Sequence, residues 1–139
     1  MSLSAKLRNK ARELIQARSV ALEGILNTEC AMRARVLGIK VDDMLFRAVY
    51  VAAWHGAFSV LLKDDPEPGQ DVQMEALEKG RRKGHDAARL AAPHWQTQAD
   101  ERTKVDHAID HAVSYAREFF AELIDQLRAN DPENPHHDR

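Results

Sequence analysis

The sequence is poor in the residues that cross-link or punctuate a chain: among 139 residues there are one cysteine, six glycines and five prolines. The lone Cys30 excludes an internal disulfide. With no CxxC spacing and no Cys/His companion it also excludes a zinc ribbon, so a reducing compartment is expected. Four of the prolines sit at Pro66, Pro68, Pro132 and Pro135. The long stretches left without turn residues argue against an all-β sandwich. An excess of one charge is lacking as well: 20 Lys and Arg stand against 22 Asp and Glu, and a net charge of -2 gives no global pull toward nucleic acid or a membrane surface. The first twelve residues alternate charged and apolar side chains and never build the unbroken apolar core of a secretory signal, which makes a cytoplasmic location the expectation. No motif names a reaction, and none implies a cofactor.

What is present is helical spacing almost everywhere, in a chain of one domain's length with 44% hydrophobic residues. Leu3, Leu7, Leu14, Ala21, Ile25, Met32 and Val36 fall on one stripe at about 100° per residue, which predicts a long amphipathic first helix that Gly24 could bend and Gly38 stops. Asp42 is the expected N-cap of a second helix running to Leu62 and apolar on every side, which places it at the centre of the fold. Its Arg47 and His55, and the acidic residues at both ends, argue against a lone membrane span. A loop follows from Lys63 to Gln70. The third helix is expected from Asp71 to Ala92, before Pro93, with an inner stripe of Leu77, Gly80, Gly84, Ala88 and Ala91. Glycine weakens a helix by about 1 kcal/mol relative to alanine, so two on the inner face predict close backbone approach to the second helix. Thr97 is the expected cap of a fourth helix reaching Ala129, with the stripe Val105, Ile109, Ala112, Ala116, Phe119, Leu123 and Leu127. The expectation is an all-α, antiparallel four-helix bundle with long first and fourth helices and a buried second helix. It occupies residues 1–130 and is followed by a disordered tail, 131–139.

Few constellations suggest chemistry. His107 and His111 lie four apart, a spacing that suits a transition metal, but they point away from the apolar seam, so a solvated pair and no metal site are expected. With His55 they resemble, over those three residues, the histidine pattern of DinB-like helical bundles. Glu75, Glu78, Glu122 and Asp125 resemble the paired acidic motifs of all-α nucleotide pyrophosphohydrolases of the MazG type. Magnesium chemistry would need those carboxylates to converge inward, whereas Glu75, Glu122 and Asp125 project away from their stripes. The second helix carries a polar row of Asp43, Arg47, His55 and Ser59 through Val51. Inside a buried helix this reads either as an internal Asp43–Arg47 ion pair or as a site lined by Arg47, Trp54 and His55 for a small anion or a partner.

Basic residues form two blocks: Lys6, Arg8, Lys10, Arg12 and Arg18, and then Lys79, Arg81, Arg82, Lys83 and Arg89. They offer a possible phosphate-tracking surface but lack the interleaved aromatics that stack single-stranded bases. A further expectation follows from length. At about 1.5 Å per residue the first and fourth helices reach about 50 Å and the others about 30 Å, so the long pair overhangs. The overhang would expose Leu3, Leu7, Phe119, Phe120, Leu123 and Leu127 and favour a homodimer. The reading this supports is a non-catalytic, self-associating module that acts by binding a protein partner. A bundle that binds a small anion or acts as an enzyme through Arg47 and His55, and nucleic-acid binding through the basic faces of the first and third helices, are the alternatives.

Overall fold

The computed structural model describes residues 5, 6, 8–10, 13, 20–62 and 69–129. Among them the chain is all-helical, with no strand. The principal helices are α1 (Val20–Val36), α2 (Met44–Leu61), α3 (Gln70–Ala91) and α4 (Ala99–Ala129), with a single 3₁₀ turn at Trp95–Thr97 between the last two. Leu3, Leu7, the 63–68 stretch and the tail from residue 130 lie outside the described residues.

α2 is the centre, as its all-round apolarity predicts: Phe46, Val49, Tyr50, Ala53, Trp54, Ala57, Phe58, Val60 and Leu61 are buried. Its length and composition would suit a membrane crossing, yet most of its surface is covered by the other helices. Asp43, not Asp42, caps it: the Asp43 carboxylate accepts from the Phe46 backbone N–H at 2.9 Å. The other oxygen of Asp43 accepts from Lys104 Nζ on α4 at 2.7 Å, so the partner expected on Arg47 is instead supplied 61 positions away. Burial alone would raise the Asp43 carboxyl, but the Lys104 bond and the Phe46 N–H outweigh it and hold the group below the ordinary aspartate value. A depressed folded-state value means stability that is present above the unfolded-state value, near 3.9, and lost as pH falls through the folded one. Asp43→Asn keeps a capping oxygen and removes the charge. It should cost about 0.5–1 kcal/mol at neutral pH, a modest sum because Lys104 is partly solvated. Thermal melts from pH 7 to 2 should show the deficit closing as the wild type acidifies.

The α2–α3 contact is built from small residues. Ala76, Gly80, Gly84 and Ala88 form the buried row of α3, while Leu77 is half-buried and Ala91 exposed, so the row steps strictly by four. A Cβ at Gly80 would stand 2.7 Å from Val113 Cγ2 and 3.1 Å from the Ala53 carbonyl oxygen; at Gly84 it would meet Ile109 Cγ1 at 2.7 Å. The close approach at Gly80 is therefore to Val113 on α4 and to Ala53 and Ala57 on α2, and at Gly84 to Ile109 on α4 and Val49 on α2, while the bulky Trp54 and Phe58 turn to α4. There Trp54 stacks on Phe58 at 4.7 Å and both meet Phe119 edge-on, at 5.4 and 5.5 Å.

Three expectations need correction. Gly24 does not interrupt α1, whose buried row is Leu22, Leu26, Cys30 and Ala34; Ile25, Met32 and Val36 are exposed. Both rows recur at helical spacing, and the one with small Cys30 and Ala34 packs into the core alongside bulky Phe46 and Tyr50. Gly38, at φ 73°, ends the α1 segment as expected. Thr97 is not a helix cap; its hydroxyl donates to the His94 carbonyl, and buried Trp95 packs on His85 instead. The apolar overhang is absent at the α4 end, because Phe120 and Leu123 are buried within the chain and Phe119 and Leu127 pack half-buried against the core. Phe58 on α2 reaches Phe120, with ring centroids 6.5 Å apart.

Candidate functional site

α1 covers only one flank of α2, and the uncovered flank is where the polar row lies. Met44, Arg47, Ala48, Val51, Ala52 and His55 alternate steps of three and one, which on a helix keeps them on a single face. Opposite them α1 presents Glu23, Leu26 and Asn27, and the turn before α2 adds Asp42. Together these residues line a groove of about 550 Å³, within the range typical of binding clefts. Its floor is apolar (Leu26, Met44, Ala48, Val51, Ala52) and its rim carries both signs of charge.

Arg47 is exposed and, among the described residues, makes no ion pair. It is therefore not the buried group that the sequence suggested. His55 stands over the other end of the groove. Burial lowers its pKa below the ordinary histidine value, against an opposing pull from Glu23, so the imidazole is neutral at pH 7. Beneath the groove Cys30 is buried, and its thiol is pushed up to about 11 by burial, partly offset by Arg47. A thiol so poised is protonated and unreactive at neutral pH.

The structure places Arg47 and His55 at the two ends of one groove and leaves Trp54 off its lining, although the Trp54 ring meets His55 edge-on at 5.1 Å. Trp54 belongs to the core, wholly buried, with its indole N–H unpartnered; the Tyr50 hydroxyl is similarly buried and unpartnered. His107 and His111 lie half-buried with ring centroids 6.3 Å apart, not fully solvated, and burial, Arg33 and His107 lower the pKa of His111. Among the described residues no group of three His, Cys, Asp or Glu side chains is placed to hold a metal ion. Glu75, Glu78, Glu122 and Asp125 are exposed and do not converge.

The second basic block is scattered around α3. Arg81, Arg82, Lys83 and Arg89 are exposed, Arg89 lies 3.6 Å from Asp86, and half-buried Lys79 lies on the turn that packs on Gly56. At about 100° per residue they spread over about 200° of the helix circumference, and Arg12 and Arg18 of the first block lie outside the described residues. Lys104, Leu26, Asn27 and Glu23 were not legible as site or pairing residues. The Leu22, Leu26, Cys30 and Ala34 row was the available signal for which side of α1 faces inward, and hence for the groove wall. The chain matches no protein-family model, no curated protein and no solved structure.

Proposed function

We propose that this chain is a non-catalytic interaction module, an antiparallel helical bundle whose α1/α2 groove receives an amphipathic segment of a protein partner. The observation that carries the reading is the groove itself: an elongated apolar floor about three turns of α2 long, open to solvent and edged by opposite charges. A helix or extended segment laid along it would bury Val51, Ala48 and Met44 under its apolar side chains, in the helix-in-groove manner. An acidic side chain of the segment would meet Arg47, and a basic one would meet Glu23 or Asp42. A free small anion is the poorer occupant. With His55 neutral, the lining carries two carboxylates against one guanidinium, so the groove as a whole does not attract negative charge.

A photo-crosslinking amino acid at Val51, introduced in the source cells, tests this, with the same group at exposed Arg82 as control. The expected result is one partner segment labelled from Val51 and not from Arg82, with apolar residues at helical spacing and charges of both signs. Labelling from Val51 as diffuse as that from Arg82 would overturn the proposal.

A further inference from the structure

We infer that two copies of this chain pair antiparallel through the outer row of α1. Seven large apolar side chains are exposed among the described residues, and four of them, Ile25, Met32, Val36 and Val41, fall between positions 25 and 41 and outside the groove. Such concentration on one helix and the turn after it marks an interface and not scattered surface. Ile25, Met32 and Val36, at 41, 47 and 74% exposure, lie within about 40° of one another around the helix. They are not needed for internal packing, because Leu22, Leu26, Cys30 and Ala34 already hold α1 to the core.

The order of charge along α1 selects the occupant. The helix is acidic in its first turn at Glu23 and at its middle at Glu29, and basic in its last turn, at Arg33 and Arg35. A two-fold axis crossing midway between positions 30 and 31 brings Ile25 opposite the partner's Val36 and Met32 beside the partner's Met32. The same operation sets Glu29 one residue's rise, about 1.5 Å, from level with the partner's Arg33, within reach of both long side chains, and the arrangement is self-complementary as a two-fold interface requires. The Glu29–Arg33 pair within one chain is long, at 4.0 Å, so both groups keep the capacity to pair across the axis. A parallel pairing would set Glu29 against Glu29, Arg33 against Arg33, and the two helix dipoles side by side with like ends together. The apolar contact would run about 16 Å, from Ile25 to Val36. This surface is separate from the α1/α2 groove and independent of what that groove binds.

The test uses the full chain. Light scattering coupled to size exclusion at submillimolar concentration should give the mass of two chains for the wild type and of one for Met32→Glu, with the helical content by circular dichroism unchanged and the melting temperature lowered by the lost association. Val36→Lys is the second variant should Met32→Glu fail to fold, and Leu90→Glu, exposed elsewhere on α3, should stay dimeric. For direction, chains carrying Ile25→Cys are mixed with chains carrying Val36→Cys and oxidised, buried Cys30 being left in place; the mixed disulfide should predominate. A one-chain mass for the wild type, a dimer that survives Met32→Glu and Val36→Lys, or a predominance of like-with-like disulfides would overturn the proposal.

Discussion

Trp54→Ala should lower stability by about 3–5 kcal/mol, whereas Arg47→Ala, seven residues earlier on the same helix, should stay within about 0.5 kcal/mol of wild type. The contrast follows from which side of α2 each residue occupies. Trp54 is wholly enclosed, stacked on Phe58 and edged by Phe119, so truncation leaves a cavity that two neighbouring rings cannot collapse to fill. Domain stabilities of about 5–15 kcal/mol make such a loss a large part of the total. Arg47 faces the groove, pairs with no carboxylate among the described residues and leaves no charge stranded when removed. Urea unfolding of both variants measures the difference. An Arg47→Ala loss approaching 3 kcal/mol would show that the guanidinium supports the fold and would remove it from the binding surface.

The second large effect is a reversal of sign among glycines. Gly24→Ala should stabilise the chain by about 0.5–1 kcal/mol, because its added methyl meets nothing within 4 Å and alanine favours the helix. Gly80→Ala gains the same propensity and should nevertheless destabilise by about 1–2 kcal/mol. Its Cβ would press on the branched Val113 of α4 and on the Ala53 carbonyl of α2, which can yield only if α3 moves away from both helices, and overpacking of this kind costs about 1–3 kcal/mol. Gly84→Ala should behave like Gly80→Ala, through Ile109 and Val49. Thermal melts of the three variants decide the matter: the same sign at all three positions would mean that the packing of α3 on α2 and α4 is looser than the structure has it.

How legible these features were in the sequence depended on whether a pattern had one physical solution. Gly80 and Gly84 on an inner helical face have few explanations besides close packing, and the close contact was anticipated. The central place of α2 followed in the same way from apolar residues on all its sides. α1 had two solutions, since the rows through Leu22 and through Ile25 both repeat at helical spacing; the choice rests on the shape of a neighbour that local spacing does not describe. The polar row of α2 was misplaced for a related reason. A helix apolar all round suggests complete burial, yet one flank remains open, and Arg47 and His55 lie on it. Asp43 could be read as charged and close to a helix start, but its partner Lys104 sits on another helix, and no local spacing points there.

The proposed partner binding rests on the groove between α1 and α2. Its most direct test is the affinity, by calorimetry, of the partner segment crosslinked at Val51, made as a synthetic peptide, for the wild type and for the Val51→Arg and Arg47→Glu variants whose melting is unchanged. The account predicts that each variant binds at least about tenfold more weakly, a loss of about 1.4 kcal/mol or more. Equal affinity for all three chains would contradict it.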